Sequence, residues 1–179
     1  MSIISAEILF KTSTVAGAAG NASAQAVAGQ SLGKYVSTST IVDASLNNLF
    51  PDVTGDENAA SNVDYQAMFV HNSNTTLVWT NPMAWLSAEV AGGVTAAIAV
   101  DTTAASAIAS AAAQAVQIVN KNTAPAGAVF TAPTTKAAGA AVATITNGFC
   151  KAIWVRRTAA NTVAVANDGV TIRVEGDTT

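Results

Sequence analysis

Cysteine, histidine and charge are what this sequence has least of. A single cysteine, Cys150, excludes an internal disulfide. One histidine and one cysteine are too few for a zinc site, which takes four ligands. Any Ser-His-Asp or Cys-His nucleophile would have to use His71, with Cys150 or one of many serines. No GxSxG or oxyanion-loop motif accompanies it. Gly17 and Gly20 do not sit in a strand–loop–helix pattern with a GK(S/T) ending, so a phosphate loop is absent as well. Only 11% of the residues are charged, against the usual quarter. The eight Lys and Arg are scattered, with Arg156-Arg157 the one adjacent pair, and the net charge is −3. A nucleic-acid partner needs clustered bases on one face and is not expected.

What fills the chain instead is Ala, Thr, Ser, Asn and Gly around a hydrophobic half. Such a composition suits many short strands and turns with a neutral, weakly solvated surface, poorly protected against self-association. The 179 residues suffice for one domain with a real core. The longest uncharged spans, 12–33 and 102–120, are diluted with small polar residues and do not read as membrane helices. No basic residue precedes Ile3 and Glu7 interrupts the apolar run, so the N-terminus does not read as a signal peptide. Assembly in a cytoplasm, with no membrane partner, is the expectation.

Along the chain, alternation predicts an amphipathic strand over Ile4–Phe10 and strands at Tyr35–Val42, Val94–Val100, Val129–Thr131, Ala140–Thr146 and Cys150–Arg157. Asp64 to Leu86 reads as a buried hairpin turning at Asn72-Ser73-Asn74, with Pro82 breaking the second ladder. Tyr65, Phe69, Leu77, Trp79 and Trp154 are expected in one core. Thr162–Ala166 and Val170–Glu175 around Asn167-Asp168-Gly169 read as a second hairpin. Asp43 is a candidate cap for a helical turn ending before Pro51, and Asp101 for a helix over 103–116, with a loop as the alternative. The expected fold is therefore all-β, a β-sandwich or jelly roll. Residues 1–34 read as an N-terminal strand and extended arm, and 35–179 as the sandwich domain. The arm is expected to make most of its contacts with other chains, with Ile4–Phe10 added to a neighbour's sheet.

Several segments carry a family resemblance. Leu46-Asn47-Asn48-Leu49-Phe50-Pro51-Asp52-Val53, then Asp64-Tyr65 and Phe69-Val70-His71-Asn72, resemble a family of small tailed-bacteriophage virion proteins. Thr123-Ala124-Pro125-Ala126-Gly127, Phe130 and Ala152-Ile153-Trp154-Val155-Arg156-Arg157-Thr158 extend the likeness, which covers roughly residues 40 to 179. The resemblance implies a β-rich, non-enzymatic particle component, and some proteins of this kind decorate or cement capsids. The expected partners are then a major capsid protein and copies of the chain itself, on the exterior of a virion. A tail or baseplate adaptor is the alternative within viruses. A carbohydrate-binding module stacking sugars on Trp79, Trp85 or Trp154 is the alternative from another class, and exposed coplanar tryptophans would favour it.

No cofactor and no catalytic residue is expected. His71 reads as a half-buried or interface residue in its strand, and Cys150, beside Phe149 in a strand, as a small buried hydrophobe. Asp52, Asp56, Glu57 and Asp64 offer hard oxygen ligands, but their spacing does not match a calcium loop, and a solvated turn is the plainer reading. The candidate interface residues are Ile4, Ile8, Phe10, Arg156 and Arg157. Alternation places Trp154 and Arg156 on one face of a strand and Val155 and Arg157 on the other.

Overall fold

The computed structural model describes residues 2–16 and 23–179. They form nine strands in two antiparallel sheets. In chain order the strands are β1 (Ile8–Thr14), β2 (Tyr35–Thr40), β3 (Val63–Asn72), β4 (Trp79–Glu89), β5 (Thr95–Val100), β6 (Ser106–Ala107), β7 (Ala140–Ala141), β8 (Phe149–Thr158) and β9 (Val170–Thr178). The larger sheet runs β2-β1-β3-β8-β5, with β6 also paired to β8; the smaller runs β7-β4-β9. The protein is an all-β sandwich.

Its centre is the β3–β8 ladder, in register from Val63 opposite Thr158 to His71 opposite Cys150. Both faces of this pair are buried. Met68, Val70, Ile153 and Val155 face the smaller sheet and meet Trp79, Ala84 and Leu86 of β4, with Ile98, Val142 and Ile145 completing the core. Each large apolar side chain so buried contributes about 1.5–3 kcal/mol. On the opposite face, Phe69, Ala152 and Cys150 pack with Val36 and Ala115, while Ala67 and Trp154 pack with Ala99 and Ile118. The expected single aromatic core is thus divided. Trp79 lies between the sheets, whereas Phe69, Trp154 and the half-buried Tyr65 lie on the far side of the larger one. Alternation along β3 and β8 sends neighbouring residues to opposite faces, so one strand serves two cores.

Among the described residues no third sheet covers that far face; loops do. Residues 31–34 and 114–118 run antiparallel across it, joined by a bridge between Gly33 and Gln117 and by the Ile118 N–H on the Leu32 carbonyl at 3.0 Å. Gly33 holds φ at +85°, and a Cβ there would stand 1.9 Å from the Val116 carbonyl oxygen. No other residue fits. Asp101 does not cap a helix over 103–116. Its Oδ1 accepts from the Thr103 N–H at 2.7 Å and its Oδ2 from the Val116 N–H at 3.0 Å and the Trp154 indole at 2.6 Å. The segment becomes turns and the short β6, because Ala115 and Ile118 gain more by packing on the sheet than alanine gains by propensity alone.

The N-terminal expectation is corrected. The strand is Ile8–Thr14, and it is not donated to another chain: it lies inside the chain's own sheet, between β2 and β3. Residues 8–14 therefore belong to the sandwich, and the division at residue 34 does not separate an arm from it. Residues 17–22 of the expected arm fall outside the described residues. Residues 23–33 follow the same chain, with Gly29 N–H on the Leu49 carbonyl at 2.9 Å and Ser31 N–H on Gln66 Oε1 at 2.8 Å. Intrachain bonds satisfy the polar backbone without the entropy cost of holding a second molecule.

Both expected hairpins open as well. Asn72-Ser73-Asn74 does turn the chain, since Asn72 Oδ1 accepts from the Asn74 N–H at 3.1 Å and Asn74 Oδ1 from the Leu77 N–H at 2.7 Å. Yet β1 and β8 already occupy both sides of β3, so the chain crosses to the other sheet. There Pro82 follows Asn81 at φ +50°, and the register with β9 shifts between Thr80 and Met83, as proline in a ladder requires. Residues 162–166 form no strand, and Val163 is exposed. The β9 strand pairs along β4 instead, from Val170 opposite Glu89 to Thr178 opposite Trp79, a longer ladder than the local turn offers. The helical turn before Pro51 is replaced by irregular turns. The only α-helix among the described residues is α1 (Gly55–Ala59), held by a capping box in which Thr54 accepts from the Glu57 N–H.

Deleting residues 1–34 would remove β1 from between its two neighbours. The shortened chain is expected to lose cooperative thermal unfolding by circular dichroism. A deletion that melts cooperatively near the full-length temperature would show β1 to be dispensable.

Candidate functional site

The five interface candidates fall in three places, with Ile4, Ile8 and Phe10 lining one groove and the two arginines apart from it and from each other. Ile4 is exposed near the N-terminus. Ile8 and Phe10 point inward from β1 and pack, half-buried, against the core between the sheets. They line an open groove of about 360 Å³ with Ile3, Trp79, Val174, Gly176 and Thr178, along the free side of β9. Arg156 and Arg157 lie on opposite faces of β8, as alternation predicts, and the structure does not bring them together. Arg156 sits on the outer face with its guanidinium 5.3 Å from the centre of the Phe130 ring. Arg157 is buried. It donates from Nη2 to Asp64 Oδ2 at 2.5 Å and from Nη1 to the Pro51 carbonyl, and lies 4.8 Å from the Phe50 ring. A residue so enclosed cannot serve as a surface contact.

Around that ion pair lies a network that sequence reasoning missed. Lys121 reaches Glu57 at 2.5 Å and Asp64 at 3.4 Å, and Asn122 donates to Asp64 Oδ1 at 2.8 Å. The Lys121 hydrogen bond, helped by the Thr54 N–H, holds the Glu57 carboxyl down at about 2, and the same contact raises the Lys121 ammonium. Two carboxylates of the acidic loop are thus neutralised by the protein's own cations. Among the described residues no group of three or more His, Cys, Asp or Glu stands close enough to hold a metal ion. In the sequence, the one usable signal is Asp64 at the start of an otherwise uncharged strand; its partners come from 57 and 93 residues away. Asp64→Ala leaves the Arg157 guanidinium buried without its counter-charge and is expected to cost about 3–5 kcal/mol in urea unfolding. A cost below about 1 kcal/mol would mean that the pair is solvated.

The other polar cluster is on the loop-covered face. His71 stands opposite Leu9 and Cys150, and Cys150 opposite Ser106. Gln114 donates to Cys150 Sγ at 3.4 Å and to the Ala107 carbonyl at 2.9 Å, and its Oε1 accepts from the Val36 N–H at 3.0 Å. Burial, aided by the Lys11 charge, pushes His71 down to about 4, and burial pushes the Cys150 thiol up to about 12. A cysteine nucleophile needs the opposite, a thiolate stabilised by a charged neighbour. Here both groups stay neutral near pH 7. The cluster fastens the Gln114 loop to the sheet.

His71 folded binds a proton less readily than His71 unfolded, so its contribution to stability falls as pH drops from 6.5 toward about 4. The slope is at most about 1.4 kcal/mol per pH unit. His71→Gln should abolish this part of the profile, measured as unfolding free energy between pH 7 and 4. Glu57 titrates lower, its contribution being lost as pH falls from 4.5 toward about 2. A variant profile parallel to that of the parent would show His71 to be solvated.

No helix among the described residues is long and apolar enough to cross a membrane. The chain matches no family model, no curated protein and no solved structure. The functional argument therefore rests on the geometry above and on the residues themselves.

Proposed function

We propose that this protein is a non-enzymatic structural component of a tailed-phage particle, a capsid decoration (cement) protein bound to the major capsid protein and to copies of itself on the virion exterior. The observation that carries the reading is the burial of all three tryptophans: Trp79, Trp85 and Trp154 retain 5%, 6% and 0% of their surface. A sugar-stacking platform needs an exposed ring face, so the carbohydrate-binding alternative loses its residues. Two further features support it. The His71 and Cys150 side chains are neutral and covered by loops, which suits packing better than chemistry. Val42, Leu46, Val119, Val129 and Val163 are exposed on a surface poor in charge, and apolar side chains on such a surface favour association. The likeness of residues 40–179 to small tailed-phage virion proteins supplies the particle.

The mechanism is linkage. A protein that binds the assembled shell and not its separated subunits stabilises the shell by mass action, in proportion to the logarithm of its concentration over its dissociation constant. The test is copy number in purified particles, by quantitative gel with gold-labelled antibody to locate the protein. Hundreds of copies on the shell are expected. Six or twelve at one vertex would move the protein to the tail or portal, and none would overturn the virion reading.

A further inference from the structure

The free edge of β9 is long and self-complementary, and the chain's own Ile3 N–H touches it at Thr178 Oγ1, 3.3 Å away. Natural edge strands discourage pairing with proline, inward charge or bulges, and the nine residues Val170–Thr178 contain neither proline nor lysine. One side of β9 pairs with β4, and the other pairs with nothing among the described strands. Which backbone groups are free follows from the ladder. Leu86 donates to the Pro133 carbonyl and Pro82 accepts from the Val142 N–H, both on the β7 side of β4. Met83 and Trp85, between them, therefore face Glu175 and Arg173. The reciprocal bonds between Val78 and Thr179, and the Val90 N–H on the Gly169 carbonyl, extend the same parity to both ends. Odd-numbered residues of β9 bond to β4. Ile172, Val174 and Gly176 turn their N–H and C=O outward.

We propose that β9 is the seam of a two-fold homodimer, in which two copies of β9 pair antiparallel with Val174 opposite Val174 of the second copy. The free parity allows few two-fold registers. One places Arg173 against Arg173, another Glu175 against Glu175 while setting Arg173 against Asp177, and a third sets Glu175 against Asp177; each opposes at least one pair of like charges. Centring on Ile172 sets Arg173 against a neutral threonine. Centring on Val174 sets Arg173 against the second copy's Glu175 and Glu175 against the second copy's Arg173. Both fall at non-hydrogen-bonded positions, where cross-strand side chains lie closest. Within one chain Arg173 already reaches Glu175 Oε1 at 2.8 Å, and the Lys136 ammonium stands 3.7 Å from Glu175 Oε2, so the charges are held along the outer face of β9.

The inner face agrees. The same register puts the second copy's Ile172 opposite Gly176, which lines the groove with Ile3, Ile8, Phe10 and Val174. A large apolar residue thus meets a position without a side chain, beside a half-buried apolar wall. Ile172 and Val174 are themselves only half-buried, although both pack against the main core. The three-stranded sheet would become six-stranded across the pair.

This dimer rests on the self-association part of the proposed function and not on the capsid part. The test is sedimentation equilibrium of the full chain at micromolar concentration, with variants R173E and E175R alone and mixed. The parent is expected to be a dimer. Each reversal turns both cross-strand pairs into like charges and should raise the dimer Kd about tenfold or more. An equimolar mixture of R173E and E175R restores Glu opposite Arg at both positions, and should form a heterodimer as tightly as the parent. Val174→Pro removes the outward N–H at the centre of the seam, along with a side chain that packs on the core, and should also give monomers. A monomeric parent, reversals that leave Kd unchanged, or a mixture that stays monomeric would each overturn the seam. A monomer that still occupies particles would overturn the dimer alone, and a dimer absent from particles the virion reading alone.

Discussion

Everything in this structure depends on covering both faces of the β3–β8 ladder. Val63–Asn72 and Phe149–Thr158 are apolar on both sides, with Met68, Val70, Ile153 and Val155 toward one and Ala67, Phe69, Ala152 and Trp154 toward the other. One face is covered by a second sheet. For the other the chain uses two long charge-poor stretches, around residues 23–34 and 101–130, as irregular cover. A loop laid on a sheet must satisfy its own backbone, and this explains the buried polar side chains. Gln66 serves Ser31 and Gly29, Gln114 serves Val36 and Ala107, and Asp101 serves Thr103, Val116 and Trp154.

The same demand accounts for the scarcity of charge. Where charges do enter the interior they come with partners. Arg157 is matched by Asp64, and Lys151 donates to the carbonyls of Asp101 and Thr103, although burial lowers its ammonium. Such groups cost more to strand than they return when paired. They fix the position of strands and loops more than they add stability. Cysteine is kept neutral under the Gln114 loop, and His71, opposite it in the ladder, is kept neutral by burial.

With one face closed by loops and the other by a sheet of half the width, the unfinished part of the fold is the edge at β9 and the groove beside it. Ile8 and Phe10 lie there, a half-buried wall beside the free edge and part of the chain's own sheet. Arg156 and Arg157, by contrast, are engaged by Phe130, Asp64 and Phe50 within the chain. The surface that remains is weakly charged and carries exposed Val42, Leu46, Val119, Val129 and Val163, which is what the proposed association with other subunits would use.

The sequence by itself determined the all-β class, strands at 35–42, 64–72, 94–100 and 150–157 that the structure matches to within two residues at each end, the break at Pro82, and the opposite facing of Trp154 and Val155. These follow from alternation and from backbone chemistry, which act over a few residues. The tertiary structure alone decided the rest. Asn72-Ser73-Asn74 reads as a hairpin turn, but the chain crosses sheets there because β1 and β8 had already filled both sides of β3. Residues 162–166 alternate like a strand, but β4 offers β9 a longer ladder. Asp101 is a good helix cap, and its carboxylate is taken by the Trp154 indole. Asp64 and Arg157 give no sign of each other across 93 positions. In each case a local preference worth a few tenths to about one kcal/mol yielded to a ladder or a buried face whose partner lies far along the chain.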